Sequence, residues 1–502
     1  LHYTKKPSGA TSYIYFGKTL YTMNLYKHLI MELQNFKSLG LFLLLSMTAV
    51  SSHAQFTRSI YAIDGLNYRM QLNPALTPNQ GYINIPVFSG IGASVSSNSL
   101  GFKNITNVIE NSSNADYFTD NKFYNNLKEE NKFNASVAYD IASAGWYQGK
   151  NFWSVNFSLK ADMGAIIPRN IFKTMRDAHG LNDKAWANYS SSQGGEQMFL
   201  NSYFETGVGF ARQITDNLTL GGKVKLLFGA TNMKLHVKKL DIKTQFSGLP
   251  DKLDWNNITT EQLNAIRGQA DISVEAEGEA SIKGFEIIEN KNGYIDDVKQ
   301  KGSLGIAGIG AGIDLGATYK VMDGLTLSAA VLDLGFISWS KESTHIASSN
   351  TNRSYKFDGN NTDDVNKFKD VISDGKVVNF TMFRLKQQEG KARTTSLYSS
   401  IVLGGEYKLP DSNFSFGLLS TTRFTKPETQ TELTLSTAYN MNRNIAMSLA
   451  YSMIQSGGKG LGIGLKLGPV TLATDYMYFG NSTKCFNAFV GFTVPLGSHK
   501  KS

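Results

Sequence analysis

Charged side chains stand at alternate positions within otherwise apolar or small-residue segments of this chain, and their spacing is the main sign of possible chemistry. Following the alternation places both signs of charge on the face that carries Gly, Ala, Ser and Thr: Glu205, Lys223, Lys225, Asp314, Glu406, Glu432 and Asp475. In a confined interior an unpaired charge is costly, so these groups should pair with one another, with water or with an inserted plug. A salt-bridged interior is the favoured interpretation, and a substrate path is the alternative.

Known enzyme signatures are missing from the sequence. It has no G-x-S-x-G, P-loop or H-E-x-x-H pattern, and His179, His236 and His345 are scattered through predicted loops. The single cysteine, Cys485, excludes an internal disulfide and argues against a thiolate metal site. We therefore predict no catalytic residue, no metal site and no cofactor. A hydrolase using His345 near Glu342 is a weaker alternative.

The elements that would carry the charges are β-strands. From Ile445 to Met453 every second residue is large and mostly apolar, and the residues between are Ala or Ser; Phe486 to Leu496 alternates similarly. A soluble sandwich would place long charged residues on its second face, whereas small residues suit the lumen of a membrane barrel. Mean hydropathy is −0.23, and the one long apolar run lies near the start, so any membrane crossing must be made by strands.

Turn signals set the strand count. Short junctions alternate with long polar stretches, as in outer-membrane barrels; the short ones are 215–217, 322–324, 410–412, 441–443 and 468–469, and the long ones are 100–130, 165–200, 231–302 and 341–395. The predicted fold is all-β, an antiparallel up-and-down transmembrane barrel of about fourteen strands with both ends on the periplasmic side. Residues 231–243 and 271–288 also alternate, and we interpret them as strand extensions or a hairpin above the membrane.

Aromatic residues and loop patterns give further expectations. Girdle positions are predicted at the periplasmic interface for Trp153 and Phe492, and at the outer interface for Trp339, Tyr451, Tyr476 and Tyr478. Ordinary aromatic enrichment of strands is the alternative. Helical periodicity predicts extracellular loop helices at 168–178 and 363–373. The glycine-rich run Gly305–Gly312 is interpreted as a close approach of backbone or plug, or as a bend of the sheet.

The first residues are typical of a targeting sequence. Residues 31–54 combine a basic start, the apolar run Leu39–Val50 and small residues before Gln55, which predicts a secretory signal peptide cleaved after Ala54. A membrane anchor is the weaker alternative, because the run is too short to span a bilayer. Residues 1–30 are interpreted as a non-native upstream extension. The net charge of +9 includes no basic cluster, so no nucleic-acid partner is predicted.

The start of the mature chain, residues 55–81, is too irregular for a strand and too apolar for a free tail. We interpret it as a periplasmic plug that packs inside a barrel formed by residues 82–497. Asn73, Pro74 and Ala75 would fix the turn of this plug, because Pro presets φ and Asn caps backbone groups. The interior charges would anchor it.

The sequence Leu72-Asn73-Pro74-Ala75 directly before the barrel resembles the FadL/TodX family of outer-membrane transporters for fatty acids and other hydrophobic compounds. An Asn-Pro-Ala motif belongs to the hatch of that family, so the resemblance implies that these residues form a hatch here. Residues 73–78, the Ile-Pro-Val-Phe-Ser-Gly run within 82–99, and the Gln after the signal peptide are similar to an uncharacterised barrel family of Bacteroidota, a domain of unknown function.

These features predict a non-enzymatic barrel in the outer membrane of a Gram-negative bacterium, surrounded by outer-membrane lipid. It would be a passive transporter or binding site for a small hydrophobic or amphipathic ligand. The alternative is an accessory barrel that docks a secreted or surface protein through residues 231–302 and 341–395.

Overall fold

The computed structural model describes residues 57–85, 89–101, 124–171, 187–250, 259–365, 384–454, 458–477 and 484–497. The predicted upstream extension and signal peptide lie outside these ranges. Strands are numbered in chain order: β1 Gly81–Asn84, β2 Gly90–Ser97, β3 Glu130–Gln148, β4 Asn151–Pro168, β5 Ser190–Gln193, β6 Glu196–Gln213, β7 Leu218–Ser247, β8 Arg267–Ile282, β9 Phe285–Glu289, β10 Ile295–Gln300, β11 Gly308–Met322, β12 Leu325–Trp339, β13 Thr344–Asp358, β14 Lys386–Gln388, β15 Arg393–Ser396, β16 Ser400–Lys408, β17 Phe414–Arg423, β18 Gln430–Tyr439, β19 Ile445–Ile454, β20 Gly458–Leu467, β21 Val470–Thr474, β22 Cys485–Phe492 and β23 Val494–Leu496. Helix α1 spans Thr260–Ala265, and 3₁₀ helices span Arg58–Ile60, Asn67–Gln71 and Lys341–Ser343.

The strands close into a 14-strand antiparallel barrel. Its wall follows chain order from β3 through β4, β6, β7, β11, β12 and β16 to β22, and β22 returns to pair with β2. Three of the fourteen barrel strands are interrupted and consist of two shorter strands each: β1 with β2, β15 with β16, and β22 with β23. The predicted up-and-down barrel is therefore confirmed.

Alternation along each strand sorts side chains between two faces. On β18, Leu433 and Leu435 are 38% and 58% exposed, whereas Thr434 and Ser436 are 0% and 3% exposed. Large apolar residues lie on the outside and small polar ones on the inside, which is the arrangement of a wall that faces hydrocarbon. Among the residues that the structure describes, no helix is long and apolar enough to cross a membrane.

The wall is taller on one side. β3, β4 and β6 have 18 or 19 residues and β7 has 30, whereas β17 to β20 have 10 each. A tilted strand needs only about ten residues to cross the hydrocarbon, so the longer strands continue beyond it. The short turns all lie at the opposite end of the barrel.

The continuation forms an upper wall, which we define as β7 from Thr231 onward together with β8 and β13. β8 pairs with β7 from Thr231–Ile282 to Ser247–Arg267, and β13 pairs along the other edge of β8. Parts of the predicted long loops 231–302 and 341–395 are therefore regular sheet. The β9–β10 hairpin contributes to a core against this sheet, formed by Val237, Leu240, Val274, Ala276, Ile295, Ala347 and Leu385.

Two aromatic predictions need correction. Trp339 and Tyr476 are 0% and 5% exposed and face the interior rather than the outer membrane interface. Tyr451 is 37% exposed on the lipid side, and Tyr478 lies outside the described residues. Both predicted loop helices lie largely outside the described ranges, but their described parts are helical: 169–171 directly follows Pro168 at the end of β4, and 362–365 begins the second.

Candidate functional site inside the barrel

The N-terminal segment, residues 57–80, lies inside the barrel. Tyr61 and Leu72 pack in one cluster with Leu332, Val402 and Leu419 of the wall, whereas Ile60, Ile63 and Tyr68 pack in another with Ala446, Ala473 and Phe489. These wall residues come from six strands between β12 and β22. Only an interior position allows one short segment to contact all of them.

Glycines of the wall make room for the N-terminal segment. An added Cβ at Gly221 would lie 2.6 Å from backbone atoms of Pro74 and Ala75, and one at Gly417 would lie 2.9 Å from Tyr61 Cδ1. Seven wall glycines on seven strands approach the segment in this way: Gly90, Gly221, Gly316, Gly404, Gly417, Gly464 and Gly491. Gly308 and Gly310 of the predicted glycine run instead lie against the backbone of β12.

Two arginines fix the N-terminal segment by ion pairs. Arg58 contacts Glu432 and lies 3.1 Å from Asp475 Oδ2, and the backbone N–H of Ser59 donates to Asp475 Oδ1 at 2.7 Å. Arg69 pairs with Glu406 at 2.5 Å. Three of the carboxylates that the sequence places inside the barrel therefore bind this segment. All the partners are buried, so loss of either arginine would leave a carboxylate unpaired.

Asn73 attaches the turn of the segment to the wall. Its Nδ2 donates to Ala317 O on β11 and to Ala329 O on β12, both at 3.0 Å, and its Oδ1 accepts the N–H of Ala75 at 2.8 Å. Pro74 follows against Gly221. Because proline lacks an N–H, it leaves no buried donor unpaired at this crowded position.

A second charged group faces the lumen at the long strands. This lysine–carboxylate cluster contains Lys160, Glu205, Lys225, Asp314 and Asp333. Lys225 Nζ lies 2.7 Å from Asp314 Oδ1 and 2.5 Å from Asp333 Oδ1, and Lys160 Nζ lies 2.9 Å from Glu205 Oε2 and 3.1 Å from Asp333 Oδ1. Charge-assisted contacts of this density compensate for the loss of hydration.

Sequence reasoning missed two members of this cluster. Lys160 shares the inner face of β4 with Asn156, Ser158 and Asp162, so the same alternation could have found it. Asp333, which has φ of +55°, lies opposite Asp314 where the β11–β12 register shifts. A bulge changes which side chains point inward, and a strict period of two cannot show it.

Two cavities adjoin the N-terminal segment. The lower cavity, about 80 Å³, has an amphipathic lining that includes the apolar side chains of Met70, Tyr82 and Phe489 and the charged side chains of Asp140 and Lys223. Lys223 is the remaining charge that the sequence places in the lumen. The upper cavity, about 50 Å³, is mainly polar and is lined by Arg58, Ser94, Ser96, Ser136, Ser400, Arg423 and Glu432, among others.

The upper wall carries charge on both faces. On its inner face Arg393 donates to Ser281 Oγ at 2.8 Å and to Glu279 at 3.1 Å. On its outer face Arg353, Arg384 and Lys386 lie 5.1–6.0 Å from the Tyr294 ring. Partial desolvation raises the pKa of Tyr294, but hydrogen bonds and charge from the arginines outweigh it and hold the pKa below its usual value.

The closed wall, the apolar outer band and the charge-paired interior together define a transmembrane β-barrel of the outer-membrane type. The chain belongs to DUF5723, a family of unknown function whose model matches residues 74–475. The predicted resemblance to an uncharacterised barrel family is confirmed by this match. No curated protein matches the chain in sequence.

Solved structures with a similar barrel include three described as transporters or a FadL homologue. The toluene transporter TbuX of Ralstonia pickettii is 11% identical with a TM-score of 0.38, over 88% of this chain and 98% of that one. The toluene transporter TodX of P. putida is 10% identical with a TM-score of 0.37, over 86% and 95%. A FadL homologue of Pseudomonas aeruginosa is 9% identical with a TM-score of 0.35, over 88% and 97%. These are distant likenesses of fold.

Proposed function

We propose that this protein is a passive outer-membrane barrel that binds or transports small amphipathic molecules, and that its N-terminal segment acts as a hatch. The mature chain would enter the outer membrane after cleavage of the signal peptide behind Ala54, and the seated segment would close the short-turn, periplasmic end. No step of this function requires an enzymatic residue or a cofactor.

The amphipathic lining of the lower cavity carries the proposal. Met70, Tyr82 and Phe489 offer apolar surface, while Asp140 and Lys223 supply charge in the same cavity. Lys223 forms no ion pair within 4 Å among the described residues, whereas Lys160 and Lys225 are fully engaged in the lysine–carboxylate cluster. A molecule with one apolar and one polar end would match both kinds of lining in this cavity.

Cavity filling tests the proposal. Met70 is 8% exposed and lines the lower cavity, so Met70→Trp should fill it; Met447→Trp adds the same volume on the lipid face, where Met447 is 45% exposed. Both variants would be purified in mild detergent, and co-purifying small molecules would be identified by mass spectrometry. The wild type and Met447→Trp should retain a bound amphipathic molecule that Met70→Trp loses. Equal retention by all three would contradict the assignment of this cavity.

The hatch requires its own test. A variant lacking residues 57–80 should give faster entry of a fluorescent amphipathic probe into proteoliposomes, or melt at a lower temperature, because its wall loses the contacts of the N-terminal segment. Unchanged flux together with unchanged melting would show that the segment is not a hatch.

A second candidate function is docking of an acidic secreted or surface partner on the upper wall. The cation cluster around Tyr294 favours it, since Arg353, Arg384 and Lys386 have no carboxylate partner within the described chain. Arg353→Glu should abolish capture of a stoichiometric partner from envelope extracts, and Lys291→Glu in the adjacent turn should not. Capture that survives Arg353→Glu would contradict this candidate.

A further inference from the structure

The seam between β2 and β3 is held by few backbone pairs. Ladder pairs join Gly90 to Asp140 and Ser97 to Phe133, and residues 91–96 and 134–139, all within the described chain, form none across this seam. On the edge that faces away from this seam, each strand forms many more backbone pairs. β2 pairs with β22 at six consecutive positions, and β3 pairs with β4 along its length.

A gap in the ladder has a specific cost in a membrane wall. Each backbone N–H or C=O that lacks a partner in hydrocarbon costs several kcal/mol, and lipid chains cannot supply the missing bond. The groups along this seam therefore need water, and the water must come from the lumen side.

Both cavities lie on the inner side of this seam. The lower cavity is lined there by Gly90, Gly92, Ala138 and Asp140, and the upper cavity by Ser94, Ser96 and Ser136. These inward side chains are small or polar, so they leave a groove along the two strands. Volumes of about 80 and 50 Å³ have room for about five and three water molecules respectively.

Buried polar atoms beside the groove also require water. Arg58 Nε, Arg423 Nε and Ser400 Oγ line the upper cavity and have no hydrogen-bond partner among the described residues. Their residues are 7%, 9% and 1% exposed. Asn156 Oδ1 beside the lower cavity is unpartnered in the same way. Buried donors and acceptors of this kind are normally satisfied, and ordered water is the usual partner where protein groups are missing.

We propose that the β2–β3 seam holds a continuous file of water along the inside of the wall, and that this file conducts small ions while the N-terminal segment remains seated. The file runs from Ser96 and Gln430 near the outer rim to Gln71 beside the segment. Four carboxylates and three lysines line the lower cavity, and two arginines and one glutamate line the upper cavity, so the formal charges along the whole path balance. This ion path shares the lower cavity with the proposed amphipathic ligand, so conduction requires that this cavity is free of ligand.

Conductance across planar lipid bilayers in KCl would test the water file. The wild type should pass a steady current, and trypsin should leave the bonds after Arg58 and Arg69 intact in the same preparation. Gly92→Leu and Ser94→Leu project a larger side chain into the lower and upper cavity respectively, so each should remove most of the current. Ile91→Phe is the matched control, because Ile91 lies on the opposite, lipid face of β2 beside Val490.

Two results would overturn this proposal. A silent wild type beside a conducting variant that lacks residues 57–80 would mean that the seam is dry and that ions need an open hatch. A current that persists in both leucine variants would mean that ions pass elsewhere.

A chemical readout covers the case in which the leucine variants fail to assemble. In a Cys485→Ser background, Ser94→Cys should react with a small cationic thiosulfonate and the reaction should reduce the current. Ser448→Cys, against Ser59 and 1% exposed, should stay unmodified. An inert Ser94→Cys would refute the water file even if the cavity-filling test of amphipathic binding succeeded.

Discussion

Gly221→Ala should unseat the N-terminal segment with a change of one methyl group. The new Cβ would lie 2.6 Å from backbone atoms of Pro74 and Ala75, and contacts below 3.0 Å are essentially never seen for a real Cβ. Backbone atoms cannot rotate away as a side-chain end can, so the turn must move by several tenths of an ångström.

That movement would break the attachment of Asn73. Its two hydrogen bonds to Ala317 O and Ala329 O are already 3.0 Å long, and a hydrogen bond of this kind contributes about 1 kcal/mol net. Losing both would shift the balance between seated and released states by about 2 kcal/mol, or about 30-fold.

Trypsin provides the assay, because the bonds after Arg58 and Arg69 are buried while the segment is seated. Gly221→Ala should be cleaved about 30-fold faster than the wild type if cleavage follows the released fraction. Gly222→Ala is the matched control, since its Cβ points to the other face of β7 and meets nothing closer than 3.4 Å. Equal cleavage of the wild type and both variants would refute the close-packing argument.

Three further changes probe the buried charges and the upper wall. Arg58→Met would leave Glu432 and Asp475 buried without their cation, so we expect unfolding free energy to fall by about 3–5 kcal/mol, measured by denaturant titration in detergent; an unchanged midpoint would contradict the anchoring role. Lys225→Met should lower the unfolding free energy by a similar amount in the same titration, because Asp314 and Asp333 lose the cation that pairs with them. A decrease no greater than that of a surface lysine variant would count against a stabilising role of the cluster. Arg384→Gln should raise the pKa of Tyr294, followed by ultraviolet difference titration, because it removes a cation that holds this pKa low; no change would mean that Arg353 and Lys386 suffice.

Period-two alternation predicted the barrel because it is a local property that each strand shows by itself. The contacts of the N-terminal segment were harder to predict, since its ion pairs join residues that are far apart in the chain. Arg58 and Tyr476, for example, are 418 positions apart. No local pattern specifies such a partner, even where it places Glu432 and Asp475 on the inner face.

The bulge between β11 and β12 explains two errors of the sequence analysis, the omission of Asp333 and the placement of Trp339 at the outer interface. Before it, Leu327 on β12 points outward, and after it Leu334 and Phe336 do, so odd positions change from the lipid face to the lumen. Asp333 and Trp339 consequently face inward. The prediction for Tyr476 failed for another reason, because β21 ends at Thr474 and alternation no longer applies beyond it.

The contacts between the two ends of the chain also constrain the order of assembly. Arg58 and Ser59 bind Asp475, and Tyr68 packs on Phe489, so the binding surface for the N-terminal segment does not exist until the last strands are in place. Contacts at such sequence separation form late, because closing the intervening loop costs entropy first. A nascent barrel must therefore pass through a stage in which Arg58 and Arg69 are unpaired, and the N-terminal segment can be seated only after the last strands are in place.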